Sequence, residues 1–206
     1  MGDFAVAAGV GISSNLRTSP LLEAARARDS RAQEALYLAH APFVRRLLTR
    51  ILGPSSDVDD LTQEVFMRAF RRIDAVETED GLRPWLSTIA VFVAKEALRA
   101  RRRKRWLSFL PTDELPEPPA NGGPREESAA RAFYDVVAKL PADEAIVLTL
   151  RLVDGMSVDD VAHALSLSSS MVKRRCAEAR ARFLRLARSH PELVEWTSME
   201  VAECDR

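Results

Sequence analysis

The residues able to do chemistry in this chain are charged and amide side chains at helical spacing. They are not an acid–base pair or a nucleophile set. Asp60, Gln63, Glu64 and Met67 recur at intervals of three, four and seven, so they share one side of a helix. Val58, Leu61, Val65 and Ala69 share the other side, with Phe66 and Ile73 at its edge. This predicts a helix over 57–72, apolar within and carrying carboxylates, an amide and a thioether without. Ser55, Ser56 or Asp57 is placed to cap it, and the early carboxylates suit the positive end of its dipole. Taken alone, such a face is as well read as a solvated surface.

Two groups of cations follow. The stretch 82–106 reads as one long helix with Trp85, Ile89 and Phe92 on one face and Leu86, Val93 and Ala97 on the next. Its first half is expected to be buried. Thr88, Lys95, Arg99 and Arg102 share a third face, and the helix ends in the basic run ARRRKR and Trp106. A run this dense beside an aromatic helix suits phosphate contact better than a merely solvated helix end. The second group lies at 173–188. Before it, Ser157-Val-Asp-Asp160 has the form of a capping box with Asp in place of Glu. It opens a short helix burying Val158, Val161, Ala162 and Leu165. A tight turn at 166–168 follows, and Ser168 is placed to cap a long helix striped by Val172, Cys176, Ala179, Phe183 and Leu186. Short helix, three-residue turn and long basic helix make a helix-turn-helix. Ser169, Ser170, Met171, Lys173 and Arg174 would form its groove-facing first turn, with Met171 suited to a thymine methyl.

The elements that position these groups are helical. Ala, Leu, Arg and Glu are abundant in the 206 residues and Gly is scarce at 8, which favours helices. Acids and bases balance at 30 each, but the cations cluster while 113–127 is acidic, so the local field is what a phosphate backbone would meet. Prolines, a glycine pair and acids at 107–128 predict a linker. The expected organisation is a disordered tail over 1–19, a helical domain over 20–106, the linker over 107–128, a second helical domain over 129–188 and an extension over 189–206. In the first domain, Ser19-Pro20 starts a short helix, Ser30 caps the next, Pro42 bends it and Gly53-Pro54 stops it. The segment 73–81 is expected as a loop. The extension holds Leu193, Val194, Trp196 and Met199, which suit packing on the second domain.

Cys176 and Cys204 have no CxxC partner, so neither metal nor disulfide framework is expected, and free thiols suit a reducing cytoplasm. The N-terminus lacks a basic n-region, and the longest apolar run, 89–94, is too short to cross a bilayer. No Ser-His-Asp set or Gly-rich phosphate loop is present, and His163 with Cys176 does not make a zinc site. The expectation is a non-enzyme with no cofactor and no membrane insertion.

Both halves resemble one family in the expected order: bacterial sigma factors of the sigma-70 superfamily, in the two-domain extracytoplasmic-function (ECF) group. DVDDLTQEVFMRAFRRID resembles region 2.2, WLSTIAVFVAKEALRARRRKR regions 2.3 to 2.4, and LPADEAIVLTLRLVDGMSVDDVAHALSLSSSMVKRRCAEARARF region 4. The resemblance spans about 21–187. It implies an all-α fold of two small domains and a protein that directs promoter recognition by core RNA polymerase. Asp60, Gln63, Glu64 and Met67 would meet the clamp helices of the largest subunit, and the second domain the flap. The loop 74–81, with Asp74, Glu77 and Thr78, would capture a flipped base of the −10 element. Lys95, Arg99 and the arginines of 101–105, Arg102 and Arg103 among them, would hold phosphates. Ser169, Ser170, Met171, Lys173, Arg174 and Arg175 would read or clamp the −35 element. The resemblance also implies an anti-sigma partner and work in the cytoplasm.

Departures from the family pattern fall at four places. Val91-Phe92 replaces the usual Arg-Asn pair, which removes polar DNA contacts there. Ser166 replaces a common Gly, which argues against a positive φ at that turn. Met171 replaces Thr, and Glu178 stands where arginine is frequent, which implies an idiosyncratic −35 sequence. A free-standing helix-turn-helix regulator and a sigma-like decoy remain the rival readings. The acidic helix separates the first from a sigma factor, and transcription with core enzyme separates the second.

Overall fold

The computed structural model describes residues 19–53, 55, 57–107, 124–153 and 155–193. The expected tail over 1–18, the acidic stretch 108–123, and Trp196 and Met199 of the extension lie outside these residues. Those described form eight α-helices: α1 Pro20–Arg26, α2 Ser30–Leu52, α3 Val58–Arg71, α4 Glu79–Leu107, α5 Pro124–Val137, α6 Ala142–Leu152, α7 Val158–Leu165 and α8 Ser169–Ala187. There are 3-10 turns at Ile73–Ala75 and Pro191–Leu193 and, among these residues, no strand. The fold is all-α.

Local chemistry sets the boundaries. Pro20 starts α1, where its missing N–H leaves no bond unmade, but the Ser19 side chain makes no cap bond. Asp29, not Ser30, caps α2, accepting from the Ala32 N–H at 2.8 Å. Helix α2 continues through Pro42 and ends at Gly53, whose φ of 77° suits a residue without Cβ. No side chain caps α3. Helix α4 begins before Leu82 because the Thr78 hydroxyl accepts from the Gly81 N–H at 3.2 Å, in the manner of a cap. Helix α5 starts at Pro124, so 124–128 is helix and not linker. The capping box at α7 is present: Ser157 Oγ accepts from the Asp160 N–H at 3.1 Å, and the Asp160 carboxylate accepts from the Ser157 N–H at 3.3 Å.

Packing follows the apolar stripes. Helices α2, α3 and α4 pack mutually and α1 lies on α2. Leu36, Leu48, Ile51, Val65, Phe66, Leu86 and Ala90 fill that core. Each such large side chain contributes about 1.5–3 kcal/mol by burial. In the C-terminal half, Phe133, Val136, Ile146, Val161, Val172, Cys176 and Phe183 are buried, with the Phe133 and Phe183 rings 5.4 Å apart. The turn Pro191–Leu193 packs on α5 and buries Leu193. Helix α6 packs on α8 but also on α2 and α4. That explains its nearly all-round burial from Glu144 to Leu150.

Candidate functional site

The α3 stripe is realised, with one change. Asp60 and Gln63 are exposed and Met67 is 49% exposed. Glu64 is half-buried and already engaged. Arg68 Nε lies 2.6 Å from its Oε1, while Arg68 Nη1 lies 2.7 Å from Glu96 Oε2 on α4. Burial works against the Arg68 charge, but hydrogen bonds to Glu64 and Glu96 outweigh it and raise its pKa further. The same guanidinium sits 5.6 Å from the centre of the Phe92 ring. Leu61, Glu64, Arg68, Val93, Arg99 and Arg103 are among the residues lining a groove of about 1020 Å³ between α3 and α4.

The segment joining α3 to α4 is shorter and firmer than a loop over 74–81. Ile73 and Val76 are buried and fasten it, and the Arg26 guanidinium donates to the Val76 carbonyl, so α1 backs it. Asp74 and Glu77 point into solvent. Thr78 does not: its hydroxyl is half-buried and bonded to Gly81.

On α4 the cations divide. Arg99, Arg102 and Arg103 are exposed. Lys95 Nζ lies 2.5 Å from Asp143 Oδ1 at the start of α6, so this expected phosphate ligand is held by the C-terminal half. Arg101 turns inward, toward the end of α2 and the start of α3. The Val91-Phe92 departure also divides. Val91 is 4% exposed and belongs to the core, whereas Phe92 is 41% exposed beside Arg68.

The helix-turn-helix is α7–turn–α8. Ser166 adopts φ 52° and ψ 47°, so the turn does take a positive φ without glycine. The Leu167 N–H bonds the Ala162 carbonyl at 2.9 Å and closes the helix end. Ser168 Oγ accepts from the Met171 N–H at 3.3 Å and caps α8. Ser169 donates to Asp159 at 2.7 Å, which spends its hydroxyl on fixing α7 to α8. Ser170, Lys173 and Arg174 are exposed, and Met171 and Arg175 partly so. Arg174 Nη2 lies 2.9 Å from Met171 Sδ, and Glu178 Oε1 is 3.9 Å from Arg174 Nε. Cations and a helix N-terminus together favour an anionic partner.

Sequence spacing missed three organising residues: Arg68, Arg101 and Asp143. The i,i+4 spacing of Glu64 and Arg68 was a usable signal for the first. The partners of the other two lie far along the chain. Among the described residues no group of three His, Cys, Asp or Glu side chains could hold a metal ion, and no helix is long and apolar enough to cross a membrane.

Comparison with known proteins gives consistent matches to both halves. A family model described as Sigma-70 region 2 matches residues 36–104, and one described as Sigma-70, region 4 matches residues 130–183. The ECF RNA polymerase sigma-E factor of Escherichia coli (strain K12) is 28% identical over 179 residues, covering 82% of this chain and 93% of the relative. Its counterpart from Haemophilus influenzae is 27% identical over 184 residues, covering 82% and 94%. Among solved structures, CnrH in complex with the cytosolic domain of CnrY aligns at TM-score 0.55 and 24% identity, over 82% of this chain and 96% of that one. The sigma factor RpoE in complex with the anti-sigma factor NepR from Bartonella quintana aligns at TM-score 0.55 and 23% identity, over 76% and 97%.

Proposed function

The chain belongs to the sigma-70 family, in its extracytoplasmic-function group, and from this premise we propose that it docks on core RNA polymerase through α3 and finds promoters with α4 and α8. It is a sigma factor directing transcription initiation. The observation that carries the residue assignment is the pairing of two surfaces in one chain. One is the exposed carboxylate–amide–thioether face of α3; the other is a capped helix-turn-helix whose second helix begins with solvent-facing Ser170, Lys173 and Arg174.

Each group then has a physical task. Asp60, Gln63 and Met67, flanked by Glu64, meet the polymerase. Asp74 and Glu77 are anions and so do not hold phosphates. Their oxygens can accept from base amino groups of a displaced strand, while Thr78 sets the start of α4. Holding a base out of the stack favours strand opening without covalent chemistry. Arg99, Arg102 and Arg103 hold phosphates, joined by Lys95 once it leaves Asp143. Met171, Lys173, Arg174 and Arg175 contact the −35 element, with Ser170 on the groove and Ser169 fixing the helix pair. An anti-sigma protein, as in the NepR complex of its structural neighbour, would act by covering the α3 face, and the work is done in the cytoplasm.

Run-off transcription with core enzyme on a promoter library tests the function. Sequence-specific transcripts are expected, and their absence on every promoter would favour the decoy. Reversing charge with Asp60→Lys tests the docking face. It should abolish capture of core polymerase while leaving DNA binding by α8 unchanged. Survival of capture would place docking elsewhere.

A further inference from the structure

Arg101 stands inside the basic run of α4, yet its guanidinium points away from its neighbours. Its Nη1 donates to the Leu52 carbonyl at 3.2 Å. Its Nη2 donates to Ser55 Oγ at 2.8 Å and to the Asp57 carboxylate at 3.2 Å. These acceptors mark the last residue of α2, the turn after it, and the residue just before α3. The Leu52 carbonyl lies at the negative end of the α2 dipole, where a cation is favoured. Asp57 sits at the N-cap of α3 but makes no cap bond there; its carboxylate reaches Arg101. Ser55 Oγ also accepts from the Asp57 N–H at 3.3 Å, so side chains and backbone form one connected cluster. Only about a quarter of the Arg101 side chain is exposed, at 26%.

The geometry points to Arg101 as a positioning residue for polymerase docking: it fixes the angle at which α3 leaves α2 and ties it to the phosphate-holding end of α4. The inference rests on the reading of α3 as the docking helix. Arg99 and Arg103 are each about 200° around the helix from Arg101, so one turn of α4 faces DNA on one side and the α2–α3 junction on the other. Displacing that turn moves the root of α3. Binding of polymerase and of DNA are thereby coupled through one side chain, and that coupling is reciprocal. A planar guanidinium can serve three divergent acceptors at once; an ammonium on a flexible stem cannot hold the same fork.

The test separates this role from that of a phosphate ligand. Affinity for core polymerase is measured for the wild type, Arg101→Ala and Arg101→Lys. The salt dependence of forked promoter DNA binding is then measured at saturating core. A wild type that does not bind core defeats the docking reading itself. With wild-type binding in hand, both variants should lose on the order of tenfold in core affinity, set by the loss of a charge-assisted cluster. The salt slope should not change, because no phosphate contact is removed. A slope lower by about one marks Arg101 as a phosphate ligand and overturns the inference. Unchanged core affinity overturns it too. Asp57→Asn supplies a second arm should Arg101→Ala fail to fold. It should lower core affinity at constant slope and add little in the Arg101→Lys background. Fully additive losses count against the cluster.

Discussion

Ser166 holds the helix-turn-helix turn in a left-handed conformation that a residue with Cβ enters at a cost of roughly 1–2 kcal/mol. Ser166→Gly should therefore raise stability by about 0.5–1 kcal/mol after glycine's larger unfolded-state entropy is subtracted. Urea unfolding at unchanged m is the check; a loss of stability would mean that the serine hydroxyl outweighs the strain. His40 carries a second residue-scale prediction. Burial, and then the charge of Arg83, hold it below the ordinary 6.5, with Glu79 acting the other way. The unfolded chain then takes up a proton at higher pH than the folded one, so stability is full above about 6.5 and falls as pH drops through it. A His40→Gln chain should lack that slope in pH-dependent denaturation. At this scale the Val91-Phe92 doubt also narrows. The valine is a core residue, so only position 92 is a surface difference.

Helices α3 and α4 act as a pair joined by Arg68, which spans Glu64 on one and Glu96 on the other. Because the Glu64 carboxylate is already engaged, Glu64→Gln should weaken core binding less than Asp60→Asn; competition for limiting core enzyme compares them directly. Equal losses would mean that Glu64 leaves Arg68 on docking. Helix α7 depends on its cap. Ser157→Ala removes the hydroxyl that accepts the Asp160 N–H and should cost about 1 kcal/mol. Thermal unfolding reads it, and −35 binding should fall with it because α7 holds Ser169 and so orients α8.

Across the whole molecule, the C-terminal half leans on the N-terminal one. Helix α6 packs on α2 and α4, α7 packs on α4, and Lys95 meets Asp143. The Tyr134 hydroxyl on α5 donates to the Arg50 carbonyl on α2 at 3.0 Å. Burial pushes that phenol up to about 12, against the pull of Arg50, so it stays a donor at any physiological pH. Two sites meant for separate promoter elements are thus held together, and one phosphate ligand is occupied. The exposed ion pair contributes only about 0.2–1 kcal/mol. Asp143→Ala should accordingly raise the free chain's DNA affinity by a few-fold and steepen its salt slope by about one, as Lys95 becomes available. Fluorescence anisotropy across a salt series measures both. An unchanged slope would mean that Lys95 does not reach DNA even when released.

The sequence by itself determined whatever depends on neighbours three or four residues away. The α3 stripe, the capping box at Ser157 and Asp160, the α8 stripe from Val172 to Phe183, and the order of the two halves were all legible, because helical period and capping are local. Tertiary structure alone decided which member of a mixed face meets solvent and which cation is spent inside. Val91 and Phe92 are adjacent and both apolar, and only the helices packed around α4 separate core from surface. Lys95, Arg101 and Arg103 look alike in a basic run. Their partners, Asp143, Leu52, Ser55 and Asp57, lie more than forty positions away. Spacing along the chain carries no information about groups brought together only when the helices dock.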